Sequence, residues 1–146
     1  MAFVLEMVRR ATGDTRFAAG RARAVTLLRE SLAPVGSGAA WNSSTDIISG
    51  SAGIVLTLGW LDRNGGAWPE WRRDARRVGD RLVELAVAEH GGLKWAISGA
   101  TPRRYPNFSH GTAGVAYTLA TLSRECGEPR FLEAAVAGER YLQAIA

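Results

Sequence analysis

The sequence predicts an all-α fold assembled from repeated helical hairpins, and three features carry that expectation. Ala, Leu, Arg and Glu dominate a chain of 146 residues that is 47% hydrophobic and 22% charged, a globular and helix-favouring balance. The stretch Ser49–Leu58 (SGSAGIVLTL) aligns without a gap with His110–Leu119 (HGTAGVAYTL), 61 residues later, and keeps both glycines. Ala2–Phe17 aligns with Ala116–Phe131, 114 residues later, through Arg10 and Arg124, Gly13 and Gly127, and Phe17 and Phe131. Periods of this size mark repeat architectures, in which each unit buries its apolar face against the next. In this register Met1 falls inside a repeat, so the chain is expected to be part of a longer protein.

Taken in order, Ala2–Thr12 reads as a short helix ended by Gly13. Asp14 or Thr15 can cap the next, about Arg16–Leu32, which stops before Pro34. Val35–Ser44 is rich in Gly, Ser and Ala and reads as a loop anchored only by Trp41. Asp46–Leu61 forms the first complete glycine-bearing helix, with Asp46 or Thr45 as its N-cap. The turn Asp62-Arg63-Asn64-Gly65-Gly66 closes it. Pro69 suits a helix start, and Glu70–Glu89 carries Trp71, Ala75, Val78, Leu82 and Leu85 on one stripe. Arginines and acids fill the opposite face. His90–Asn107 is irregular, with a short hairpin or extended lid expected at Gly91–Ile97. His90 reads as a helix-end residue facing the C-terminal dipole.

The segment Pro106–Leu122 (PNFSHGTAGVAYTLATL) is the centre of the pattern. Ser109 is expected to cap a helix running to Arg124, with His110 in its first turn at the positive end of the dipole. Gly111 and Gly114 on one face let a neighbouring backbone or a ligand come close. A last amphipathic helix spans Pro129–Ile145. Small apolar helices thus alternate with longer charged ones, which suggests an inner and an outer layer. The hairpins are expected over 1–34, 45–89 and 109–146.

Composition bounds the function. The net charge of +4 rests on arginines, since Lys94 is the single lysine. These are interleaved with acids on helical faces, as on a solvated surface, so no nucleic-acid partner is expected. Cys126 is alone, which excludes a disulfide framework or a CxxC metal site and fits a reducing, cytoplasmic setting. No apolar run reaches the length of a membrane span.

Phe108–Gly114 (FSHGTAG) resembles the HGxAG signature of the lanthionine synthetase C-like (LanC-like) family. Asp46–Gly53 (DIISGSAG) resembles its DxxxGxAG repeat, and His90–Trp95 (HGGLKW) its GG-x-x-W link. The resemblance covers nearly the whole chain. It implies an α/α toroid of inner and outer helices, related to six-hairpin glycosidases, of which this chain would supply about three hairpins of seven. It also implies zinc-dependent addition of a precursor peptide's cysteine thiol to dehydroalanine or dehydrobutyrine, which closes a thioether ring. His110 would be the catalytic histidine and Asp46 the catalytic aspartate. The family's zinc ligands, a Cys and a later Cys-His pair, have no counterpart here. Zinc is therefore expected in a full-length parent and not in this chain alone, and activity is expected of the parent.

On the residues alone, His110 and Asp46 remain open between acid/base roles and simple capping. Asn107 occupies the repeat position of Asp46, which favours capping there. Arg103, Arg104 and Tyr105 read as a solvated loop, with contact to an anionic or peptide substrate at the mouth of the ring as the alternative, and Trp68 and Trp71 read as outer-layer packing anchors. Two further functions stand beside the cyclase. One is a LanC-like protein that binds peptides or thiols without cyclisation. The other is a toroid carbohydrate enzyme, which needs paired carboxylates where Asp46 alone qualifies. Open repeat edges are expected to promote self-association.

Overall fold

A computed structural model describes residues 1–65 and 68–146; Gly66, placed above in a turn, lies outside the described residues. The elements are α1 (Ala2–Thr12), α2 (Arg16–Glu30), β1 (Ala33–Val35), β2 (Gly38–Ala40), α3 (Ser51–Arg63) and α4 (Trp71–Glu84). They continue as β3 (Val87–Glu89), β4 (Gly92–Lys94), α5 (Thr112–Cys126) and α6 (Pro129–Ala144). The fold is mostly helical. Each helix pair is a hairpin, and α3 lies beside both α1 and α5, with α4 packed on α3 and α5.

The layers follow from side-chain chemistry. Helices α3 and α5 carry small or apolar residues nearly all round, and Ala52, Val55, Leu58, Val115 and Leu119 are buried on them. Helix α4 buries one stripe, Trp71, Ala75, Val78 and Leu82, and turns its arginines outward. Phe131 of α6 and Trp95 complete a core in which each large side chain removed from water contributes about 1.5–3 kcal/mol. Trp68 and Trp71 are buried in that core, with Trp68 Nε1–H donating to Asp74 at 3.2 Å. They anchor the start of α4 to that core. The end helices leave apolar side chains in solvent, Val4 and Met7 on α1 and Leu132 and Val136 on α6.

One buried charge stands apart from the apolar core. Glu6 of α1 is fully enclosed and ion-paired with Arg9, Arg10 and Arg21 at 2.7 to 2.9 Å. The Arg9 hydrogen bonds outweigh burial and, with Arg10 and Arg21, hold its carboxyl at about 2.

Two elements differ from expectation. The Val35–Ser44 loop is largely a hairpin, β1–β2, paired Ala33 to Ala40 and Val35 to Gly38. The helix expected to reach Glu89 ends at Glu84, because Val87–Glu89 pairs with β4 instead. His90 and Gly91 form the two-residue turn, at φ of 50° and 72°, the left-handed pair that a tight hairpin needs. His90 is therefore a turn residue stacked near Tyr141, with ring centroids 6.2 Å apart, and not a helix terminus.

The hairpins expose a second period. Trp41 Nε1–H donates to the Leu28 carbonyl at 2.7 Å, and Trp95 Nε1–H to the Leu82 carbonyl at 2.7 Å. Both members of the second pair lie 54 residues after the first. The outer helix, hairpin and tryptophan thus repeat at 54, whereas the glycine helices repeat at 61. The extra seven residues lie between Trp95 and Gly111. They form a turn closed on itself, with Ile97 N–H donating to the Arg103 carbonyl at 3.1 Å and Ser98 N–H to the Thr101 carbonyl at 3.2 Å.

Candidate functional site

The two glycine helices begin later than their sequence suggests. Helix α3 starts at Ser51 and α5 at Thr112, so Asp46 and His110 both lie in the loops that lead into them. Each loop folds back over its own helix and caps it with backbone. Ser51, Ala52 and Gly53 N–H donate to the carbonyls of Ser44, Thr45 and Asp46 at 3.0 to 3.2 Å. Thr112 and Ala113 N–H donate to Tyr105 and Pro106 at 2.9 and 3.2 Å. These bonds occupy the donors that a helix start leaves free. Asp46 and Ser109 are consequently not the N-caps, and His110 is not in the first helical turn.

Close approach of loop to helix explains the glycines. A Cβ on Gly53 would run into the Ile47 carbonyl, and one on Gly114 into the Phe108 carbonyl. No side chain fits between.

Inside each loop the same turn recurs. Asp46 Oδ1 accepts from Ser49 N–H at 2.8 Å, and Asn107 Oδ1 accepts from His110 N–H at 2.8 Å. Asp46 and Asn107 are repeat equivalents, as are Ser49 and His110. Asp46 also accepts from the Ser49 hydroxyl at 3.1 Å. A backbone bond from Ile47 N–H to the Ser109 carbonyl at 3.1 Å ties the two loops together. That tie brings His110 Nδ1 to 2.7 Å from Asp46 Oδ2.

The pair is asymmetric. Asp46 is 1% exposed, whereas the His110 side chain is 42% exposed. Burial pushes the Asp46 carboxyl up, but hydrogen bonds from His110 and Ser49, with the histidine's charge, prevail and hold it below the usual range. An ionised carboxylate only accepts, so the shared proton sits on Nδ1 and Nε2 faces outward. The arrangement can fix an imidazole and take up or deliver a proton at Nε2. Ser49 and Asn107 orient the pair; in the sequence Asn107 reads only as the repeat equivalent of Asp46, and Ser49 only as part of the glycine stretch. Their signal was the repeat itself, which places an Asx at one position and its capped partner three residues later.

Zinc does not fit these residues. Among the described residues no group of three or more His, Cys, Asp or Glu side chains comes together. Cys126 closes α5 at the far end from His110, across 15 residues or about 22 Å of helix. It is buried against the Arg72 carbonyl, and burial raises its thiol above the ordinary value. A soft-metal site needs a thiolate beside the imidazole, and this one is remote and protonated.

Beside the pair runs a groove of about 750 Å³. Val35, Leu85, Val87 and Trp41 line it, with Arg104 at one side and Thr45, the residue before Asp46, at its edge. Asp46 and His110 themselves are outside it. Among the described residues, no helix is long and apolar enough to cross a membrane.

Residues 1–142 match the family model described as lanthionine synthetase C-like protein. No curated protein and no solved structure matches the chain.

Proposed function

Because this chain belongs to the lanthionine synthetase C-like family, we propose that it supplies the acid/base part of a thioether-forming, peptide-modifying enzyme, as a part of a larger toroid. The observation that carries this reading is the 2.7 Å contact between buried Asp46 and half-exposed His110, drawn from two successive repeats. The substrate is a precursor peptide bearing a cysteine and a dehydroalanine or dehydrobutyrine, met in a reducing, cytoplasmic setting.

Asp46 holds the ring by Nδ1 and compensates the charge it gains. His110 Nε2 takes the thiol proton; the sulfur bonds to the β-carbon of the dehydro residue, and the C=C electron pair moves to the α-carbon as an enolate. The same Nε2 returns the proton to that carbon, so the addition balances without a co-reactant. Ser49 and Asn107 keep donor and acceptor in register. No step is derived through zinc, since the residues present do not fit it.

The test is disappearance of the free peptide thiol, read by alkylation and mass spectrometry, in the complete protein carrying this sequence. His110→Asn and Asp46→Asn are expected to slow it by about 10²-fold or more. Unchanged rates in His110→Asn would refute the acid/base role. If the intact protein consumes no thiol but retains peptide in calorimetry, the binding reading without cyclisation replaces it. The remoteness of Cys126 from the pair is what favours that second reading.

A further inference from the structure

We propose that the groove beside the Asp46–His110 pair is a docking site for an acidic, otherwise apolar peptide segment, with Arg104 as its specificity residue. The inference rests on the peptide-modifying reading above and deepens it. Three observations converge. The groove, about 750 Å³, lies within the range of about 300–1,000 Å³ typical of ligand sites. Part of its lining is aliphatic: Val35, Leu82, Leu85 and Val87. Val35 and Val87 remain 39% and 38% exposed, so that lining is not closed by the chain's own packing.

The seven-residue insertion also lines the groove. Ser98, Pro102 and Arg104 all belong to the extra turn that separates the 54-residue period from the 61-residue one. The preceding repeat enters its glycine helix without this turn. The insertion is bonded to the site loop, since Thr45 N–H donates to Ile97 O at 2.8 Å and Thr45 Oγ donates to Ala96 O at 2.7 Å. Thr45 adjoins Asp46. A segment lying in the groove is therefore held next to the loop that carries the proton-transfer pair.

Charge selects the occupant. Arg81, also on the rim, is paired with Glu84 at 2.8 Å. Arg104 forms no salt bridge among the described residues; its charge is one of several that lower the Glu89 carboxyl, and no acidic side chain lines the groove. Guanidinium matches carboxylate through paired N–H donors, and an aliphatic lining matches branched side chains. A segment alternating Leu or Val with Glu or Asp meets both requirements.

The experiment is calorimetric titration of the protein with acetyl-Leu-Glu-Val-Leu-amide, with Trp41 emission as a second readout. Acetyl-Leu-Gln-Val-Leu-amide is the neutral control. The acidic peptide is expected to bind about tenfold more tightly than the control, with the preference lost in Arg104→Glu and in high salt. Val35→Glu, in the aliphatic lining, is expected to weaken both peptides, and far-ultraviolet melts check that both variants fold. Equal affinity of the two peptides, no heat from either, or indifference to Arg104→Glu overturns the proposal. So does self-association that Arg104→Glu abolishes while the peptides fail to bind, which makes the groove a contact between copies. Probe binding needs no chemistry: probe binding by an unmutated protein that consumes no thiol, or by a His110→Asn variant that consumes it at an unchanged rate, refutes the acid/base reading and leaves the docking site standing.

Discussion

Replacing Gly53 by alanine separates two opposing effects. In an exposed helix interior, Gly→Ala gains up to about 1 kcal/mol from backbone entropy. At Gly53 the added methyl meets the Ile47 carbonyl, a backbone atom that cannot rotate aside. The loop must lift, which breaks the bond from Gly53 N–H to Asp46 O at 3.2 Å and strains that from Ile47 N–H to Ser109 O at 3.1 Å. Each such bond is worth about 1 kcal/mol net, and forced repacking adds about 1–3 kcal/mol. The balance is a loss of about 2–4 kcal/mol. Gly20 in α2 is the control, because its nearest neighbour is the Leu5 Cδ1 methyl at 3.3 Å, the far end of a side chain. Gly20→Ala should be neutral or stabilising by up to about 1 kcal/mol. Urea unfolding followed by circular dichroism measures both. If Gly53→Ala proves as stable as Gly20→Ala, the loop does not lie against the helix and the account of the site's support fails.

Three other perturbations address the site and core. The Asp46 carboxyl is depressed, so its contribution is present above the free value of about 4 and is lost as pH falls through the folded value. Asp46→Asn should therefore be less stable than the parent at pH 7, and the difference in urea midpoint should shrink at pH 3; an unchanged difference contradicts the pairing. Trp95→Phe leaves the Leu82 carbonyl without its 2.7 Å donor inside the core, for a loss of about 1–3 kcal/mol. Trp41→Phe, at a partly buried site, should cost less in the same urea unfolding assay. Finally, Cys126 is buried with a raised thiol, so a disulfide-exchange reagent should label it only at the rate of unfolding. Rapid labelling of the native protein would count against that placement.

Periodicity made the helices and their two-layer arrangement readable, because apolar spacing is a local property. The start points of α3 and α5 were hidden by a competing rule: Asp46 and Ser109 are good caps by residue type, yet backbone carbonyls seven residues upstream take the donors. The β1–β2 hairpin escaped notice because Ala33-Pro34-Val35 and Gly38-Ala39-Ala40 carry no alternation of polar and apolar residues. The family resemblance singled out Asp46 and His110 as separate positions. Their contact depends on how two loops stack, which is a tertiary fact that neither loop encodes alone. The second period emerged only when the tryptophan bonds to Leu28 and Leu82 fixed which residues correspond.

The tie from Ile47 to Ser109 places the Asp46–His110 pair at a seam between units rather than inside one. Copying a single unit therefore carries one partner without the other, and the contact forms only where two unlike copies meet. Lengthening the array elsewhere leaves this seam intact, whereas a unit inserted between α4 and α5 would separate the partners while preserving each one's surroundings. Divergence of neighbouring copies, aspartate with serine in one and asparagine with histidine in the next, is what sets a carboxylate against an imidazole across that joint.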